Sequence, residues 1–193
     1  NGKTTTTHII AHLLRSQGYT VGVIGTVHIL IDDQSYPIHN TTPDVADLQQ
    51  ILQQMVDAGV THCIMEVSSH ALALGRTAGV EYDTAVFTNL TQDHLDFHKT
   101  FDNYLAAKAK LFKQVSASYQ VKEGNVDDAY GQAIVDVTTA PMITYSTEGK
   151  GTMNASDLAI TAKSSQFTLS YEGKTYPIST KIAGMFNVYN TLA

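Results

Sequence analysis

Hydrophobic positions along the chain alternate between two rhythms. Between Thr5 and Gln17, Ile9, Ile10, Leu13 and Leu14 recur at helical spacing and Gly18 supplies a stop, which predicts a helix. Val21 to Gly25 then reads as a buried strand, and Val27 to Ile31 with Ser35 to Ile38 as a hairpin around Asp32-Asp33-Gln34. Pro43 stands where a helix would begin; Leu48, Ile51, Leu52 and Met55 give that helix one apolar face before Gly59. Thr61 to Val67 and Thr84 to Leu90 are apolar enough for strands, and Phe101 to Val115 is helical again. This alternation predicts an α/β fold: a mostly parallel sheet of phosphate-loop type flanked by helices, with ligands gathering beyond the strand ends. After about Ala155 the texture changes. Leu158 to Ala162, Gln166 to Tyr171 and Lys174 to Ile182 are short strands, with Glu172-Gly173-Lys174 as a joining turn, so a small antiparallel β meander is expected near the C-terminal end.

Composition bounds what such a fold can do. A chain of 193 residues and 20.9 kDa can bury one proper core. With 43% hydrophobic and 16% charged residues, 13 Gly and only 4 Pro, it is globular rather than disordered. Eighteen acidic against twelve basic residues leave a formal charge of -6, so nucleic acid is not an expected partner. The single cysteine, Cys63, excludes an internal disulfide framework and a cysteine-built zinc site. The longest mostly apolar stretch, Val21 to Ile31, is broken by Gly22, Gly25, Thr26 and His28 and is too short to span a bilayer. No signal peptide opens the chain, so the expectation is a cytoplasmic protein without a membrane partner. It begins Asn1-Gly2-Lys3-Thr4-Thr5-Thr6, without Met, and stops inside a helical pattern at Asn187 to Ala193; we expect a piece of a longer polypeptide that opens within a phosphate loop.

Several residues stand where chemistry would need them. Gly2-Lys3-Thr4 ahead of a helix has the parts of a phosphate site: glycine lets backbone amides approach, lysine neutralises the β/γ charge, and the threonine hydroxyl can ligate Mg²⁺. The same tripeptide also serves as an ordinary helix start, and these residues alone leave both readings open. Glu66 follows Cys63-Ile64-Met65 and lies at the tip of a predicted strand, where a second Mg²⁺ ligand would sit, as would a plain solvent-facing glutamate. Ser68-Ser69-His70 fits a helix cap and not a serine nucleophile, because no Gly-x-Ser-x-Gly elbow surrounds it. Past the next strand, Asp93, His94, Asp96 and His98 crowd into six residues. That density favours a metal or phosphate role, with His94 as the preferred ligand and Asp93 as a supporting or nucleotide contact. Lys108 lies four residues from both Tyr104 and Phe112, between Ala107 and Ala109. On such a face a lysine is either desolvated and more easily neutral, or snorkels to solvent. Asn40-Thr41-Thr42-Pro43-Asp44 either holds an anionic ligand or caps the helix that follows.

Read together, six segments resemble the central ATP-binding domain of the Mur ligases, most closely the MurE type, in order along essentially the whole chain. They are Asn1 to Thr6, Asn40-Thr41-Thr42-Pro43, Glu66 to Leu72, Thr88-Asn89-Leu90 with Asp93-His94-Leu95-Asp96, Tyr104 with Ala107-Lys108, and Gly184 to Asn190. The resemblance implies that residues 1–193 form one such domain, without the family's N-terminal UDP-binding and C-terminal domains. It also implies an ATP-dependent ligase of peptidoglycan precursor synthesis, acting on UDP-N-acetylmuramoyl-L-alanyl-D-glutamate and an amino acid, as a monomer. Carried over, Asn1, Gly2, Lys3, Thr4 and Thr5 bind the ATP phosphates. Thr4 with Glu66 holds one Mg²⁺, His94 a second, and Lys108 matches the lysine that is carbamylated in the family. Lys3, His94 and Lys108 are thereby the expected catalytic residues. Thr41, Thr42, Ser68 and Arg76 match contacts to the UDP-muramoyl substrate, and Asn187 and Asn190 positions near the nucleotide. Two features depart from the family: Leu74 stands where glutamine is common, and Ser118 to Gly124 does not read as the apolar strand expected before Asn125-Val126-Asp127-Asp128. The rival readings are a phosphate-loop kinase or GTPase, the latter disfavoured because no Asn/Thr-Lys-x-Asp motif occurs, and a nucleotide-binding module without activity by itself.

Overall fold

The computed structural model describes residues 1–91, 94–115, 121–136 and 142–193, with backbone only for 121–123. The elements run α1 (Lys3–Ser16), β1 (Val21–Ile24), β2 (Ile29–Ile31), β3 (Gln34–Tyr36), α2 (Val45–Asp57), β4 (His62–Met65) and α3 (Ser69–Ala73). Next come β5 (Thr84–Phe87), α4 (Leu95–His98), α5 (Phe101–Lys113), β6 (Val121–Asn125) and α6 (Gly131–Asp136). The chain closes with β7 (Met142–Ser146), β8 (Met153–Ile160), β9 (Ser165–Tyr171), β10 (Lys174–Thr180) and α7 (Met185–Leu192). These elements belong to two compact units, one of residues 3–80 and 96–111, the other of residues 1–2, 81–95 and 112–193.

In the first unit the sheet order is β3-β2-β1-β4, with β1 parallel to β4 and the β1–β2–β3 hairpins antiparallel. Every residue of β1 is buried, which is the signature of a strand covered on both faces. Val21 and Val23 pack with Ala11 of α1, whereas Ile24 packs with Leu48 and Met55 of α2. Gly22 faces the same helix: a Cβ there would lie 2.6 Å from the Met55 sulfur, so the missing side chain is what lets α2 come close. Helix α2 begins at Val45 with Asp44 as N-cap, two residues after Pro43, because Asp44 is still extended (φ -69, ψ 160). The expected hairpin is present, but its arms shorten to three residues each around a turn in which Asp32 takes φ 53.

The second unit carries a six-stranded sheet, β10-β9-β8-β7-β6-β5. Strands β5 to β8 pair in parallel, and β8, β9 and β10 form the antiparallel meander. The strands thus divide between two sheets. The first meander strand starts at Met153, earlier than its sequence pattern indicates, and is broken by a register shift between Ser156 and Ala159 where Asp157 takes φ 53. Helix α7 lies on this sheet through Val188 and Leu192, packed with Tyr145, Ala155 and Phe167. The fully buried Tyr145 donates its hydroxyl to the Phe87 carbonyl (2.9 Å), tying β7 to β5 across β6 and meeting the burial rule for polar atoms. Among the described residues no helix is long and apolar enough to cross a membrane.

Candidate nucleotide and metal site

In the first unit, α1 starts at Lys3 and holds no acidic residue in its first turn. No carboxylate of its own first turn offsets the partial positive charge of that helix end, which favours an anion there. Thr4 faces the tip of β4, where its hydroxyl donates to Glu66 Oε2 at 3.0 Å. Glu66 is only 2% exposed, yet it is well provided with donors: the Thr26 amide reaches Oε1 at 2.8 Å and the Thr26 hydroxyl reaches Oε2 at 3.1 Å. A hydroxyl and a carboxylate this close are hard oxygen donors of the kind Mg²⁺ takes, usually alongside phosphate oxygens and water, so the pair fits that ion. Among the described residues no group of three or more His, Cys, Asp or Glu side chains is placed to hold a metal. One turn beyond Thr4, burial first, then His28 and Arg15, lower the pKa of His8 against the opposing pull of Glu66. His8 thus stays neutral at pH 7 and adds no charge beside the carboxylate.

The same unit assembles the residues matched to substrate contacts. Thr42, 1% exposed, donates to the Glu66 carbonyl (2.9 Å) and accepts from the Ser68 amide (3.0 Å), clamping the turn that leaves β4. Thr41 lies 3.1 Å from Thr26, hydroxyl to hydroxyl. Arg76 donates to the Thr42 carbonyl (3.3 Å) and pairs with Asp44 (2.8 Å). Ser68 is also the N-cap of α3, its hydroxyl accepting from the Ala71 amide. Leu74 closes that helix and is 58% exposed. Lys108 is half-buried on α5 with its Nζ 5.2 Å from the Tyr104 ring centroid. Tyr104 in turn stacks on the buried His98, whose Nε2 is 2.9 Å from Ser69 Oγ.

The second unit holds the remaining candidates. Asn1 is fixed to the loop after β5: its backbone nitrogen donates to Asn89, and its carbonyl accepts from Thr88 and Asn89. Gly2 (φ 85) sits against Asn190, where a Cβ would come within 2.2 Å of Oδ1, so only glycine fits. Asn190 donates to Asn187, both on α7. His94 is half-buried at φ 57, a left-handed conformation uncommon among non-glycine residues. Asp93 lies outside the described residues. Thr5 is half-buried on α1.

Thr26 and Asp127 carry more of this geometry than sequence reading gave them. Thr26 follows a strand with no motif of its own to mark it. Asp127, two residues past β6, accepts from Ser146 Oγ, the Thr147 amide and hydroxyl, and the Tyr189 hydroxyl.

Comparison with known proteins decides the family. The model of the Mur ligase middle domain matches residues 1–193. The chain belongs to the Mur ligase family. It is 48% identical to the UDP-N-acetylmuramoyl-L-alanyl-D-glutamate--2,6-diaminopimelate ligase of Geobacillus thermodenitrificans, over 100% of this chain and 40% of that protein. To the ligase of the same name from Lactiplantibacillus plantarum it is 45% identical, with the same coverage of each. A solved structure of such a ligase superposes with a TM-score of 0.88 at 32% identity, covering all of this chain and 40% of the other. A MurF ligase from Thermotoga maritima in complex with ADP shares the fold at 18% identity and a TM-score of 0.72, covering 100% of this chain and 42% of that one. This Mur ligase chain thus spans about 40% of the length of the curated relatives it matches.

Proposed function

We propose that this chain is the ATP-handling central domain of a ligase that adds the third amino acid to UDP-N-acetylmuramoyl-L-alanyl-D-glutamate, with 2,6-diaminopimelate as that amino acid. The observation that carries the reading is the Thr4–Glu66 pair at the head of an acid-free helix start, in a chain whose relatives bear that ligase name. In this reaction ATP phosphorylates the terminal carboxylate of the dipeptide, the amine attacks the acyl phosphate, and a tetrahedral intermediate collapses to amide and phosphate. Bringing a carboxylate up to a triphosphate is a problem of like charges, and bound Mg²⁺ supplies Lewis-acid neutralisation there. Lys3, with Asn1, Gly2, Thr4 and Thr5, binds and orients the phosphates. Thr4 and Glu66 would hold one Mg²⁺; His94 would be a ligand of a second, and Lys108, carbamylated, a further metal ligand. A lysine must be neutral to take up CO₂, and Lys108 lies half-buried on α5 between Ala107 and Ala109. Thr41, Thr42, Ser68 and Arg76 bind the UDP-muramoyl dipeptide, and Asn187 and Asn190 contact the nucleotide. The protein works as a cytoplasmic monomer, and turnover requires the rest of a ligase polypeptide, so the 193 residues alone bind nucleotide without completing the reaction.

The test follows ADP and phosphate release by the complete polypeptide that carries this chain, with ATP, Mg²⁺, the dipeptide substrate and single amino acids that include diaminopimelate and lysine. Release that needs both the dipeptide and diaminopimelate is expected. Release with lysine instead overturns the amino-acid assignment, and release with only a hydroxyl acceptor replaces the ligase by a kinase.

A further inference from the structure

We propose that Thr26 is a positioning residue that fixes the Glu66 carboxylate for its metal and couples it to Thr41 on the substrate side; this rests on the ligase reading above. The loop that carries Thr26 is shaped around the carboxylate. A Cβ on the preceding Gly25 would lie 2.4 Å from Glu66 Oε1, so the backbone can pass this close only as glycine. Thr26 then gives its amide to Oε1 and its hydroxyl to Oε2, one donor to each oxygen. A threonine hydroxyl has a single proton, and a carboxylate can only accept. With the Thr26 proton committed to Glu66, the 3.1 Å contact between Thr26 and Thr41 has one direction: Thr41 donates and Thr26 accepts. The result is a directed chain from Thr41 through Thr26 to Glu66.

The Thr4 hydroxyl shares Oε2 with Thr26, and it is the donor that a metal held between Thr4 and Glu66 would displace. The two bonds from Thr26 do not compete with such a metal, because each carboxylate oxygen keeps a further lone pair. Thr26 therefore holds the carboxylate plane still while its other partner is exchanged. A substrate group that takes the Thr41 proton changes the donor Thr26 receives, and with it the strength of the bond Thr26 makes to Glu66. Metal and substrate affinities are thereby linked, and linkage of this kind is reciprocal.

The experiment compares Thr26→Val, Thr26→Ser, Thr41→Val and the Thr26→Val/Thr41→Val double variant. Two quantities are read: the affinity of the 193-residue chain for ADP as a function of Mg²⁺, by calorimetry, and the Mg²⁺ and dipeptide dependence of turnover in the complete ligase. Thr26→Val, nearly isosteric, should raise both the half-saturating Mg²⁺ and the dipeptide KM by roughly three- to tenfold, the span of one lost hydrogen bond. Thr26→Ser should restore both, together with any fall in melting temperature that the valine variant shows. Thr41→Val should weaken Mg²⁺ dependence as well, and the double variant should fall short of the summed effects. Wild-type Mg²⁺ dependence in Thr26→Val, failure of serine to restore it, or full additivity overturns the coupling. A wild-type ligase inactive on the dipeptide would overturn the functional reading instead, while the calorimetric Mg²⁺ shift still decides the role of Thr26.

Discussion

Two carboxylates, one in each unit, lie just past parallel strand ends and are similarly rich in donors, yet they are built for different ends. Glu66 receives Thr4 and Thr26, and Thr4 belongs to the acid-free first turn of α1. Asp127 receives Ser146, Thr147 and Tyr189, which come from the end of β7 and from α7. Burial alone would raise the Asp127 carboxyl, but the bonds from Ser146, Thr147 and Tyr189 bring it below the ordinary carboxylate range. Tyr189 is itself pushed up, by burial first, so it remains a protonated phenol and a donor at neutral pH. The Thr4 bond to Glu66 is one a cation can replace. The Asp127 bonds fasten a helix. A carboxylate at a strand end is therefore diagnostic only through where its donors come from.

The largest expected effect breaks this contrast at Glu66. Glu66→Gln keeps the volume but removes the charge that a metal needs, and turnover of the complete ligase should fall by about 10²- to 10³-fold. Its melting temperature should drop by far less than that loss implies. An equal collapse of folding and activity would make Glu66 a structural carboxylate like Asp127. Next in size is Lys108→Ala, which should lower turnover on the order of 10²-fold. Short carboxylic acids should restore part of it if a carbamate is the working group. Normal activity without the lysine removes Lys108 from the reaction, and loss that no acid restores removes the carbamate.

Asp127→Asn should behave in the opposite sense to Glu66→Gln. Losing hydrogen bonds to a charged, half-exposed group should cost about 1–2 kcal/mol of stability in denaturant titrations. The catalytic rate should stay near wild type, with any kinetic loss confined to the KM for ATP, since α7 carries Asn187 and Asn190, the proposed nucleotide contacts. A kcat loss as large as that of Glu66→Gln would place Asp127 in the reaction and erase the distinction.

The contrast also marks what sequence can carry. Helical and strand periodicity located α1, β1, the hairpin, α2, β4, β5, α5 and the meander because each has an apolar face long enough to repeat. The short helices α3, α4 and α6 run only four to six residues, too few for a period to emerge. Strand β6 reads Val-Lys-Glu-Gly-Asn, with little apolar pattern, although it pairs on both sides. Its Gly124 is where Met142 packs: a Cβ there would come within 2.3 Å of the Met142 methyl, so the volume a strand residue would fill is supplied by its neighbour. Periodicity is equally silent on which strands share a sheet, and the division into two sheets was not legible. At the site, Thr4, Glu66, Thr42 and Ser68 were readable because motifs carry them. Thr26 was not, because a hydroxyl that acts through another side chain leaves only a threonine after a strand.

The smallest expected effect is on acid stability, and it tests the cause assigned to the Asp127 pKa. A carboxyl whose folded value lies below its unfolded value stabilises the fold in its charged form. That contribution is fully present above the unfolded value, about pH 4, and is lost as pH falls through the lower folded value. Melting temperature measured downward from neutral pH should therefore decline for the wild-type chain in this acid range, and Asp127→Asn should flatten part of that decline. Tyr189→Phe removes one of the donors to Asp127 while leaving the carboxyl in place, so its acid limb should lie between the two. If Tyr189→Phe instead matches wild type through the whole range, the Ser146 and Thr147 bonds alone hold the carboxylate. The phenol would then serve α7 through its contact with the Thr147 hydroxyl, at 2.7 Å, rather than through the charge.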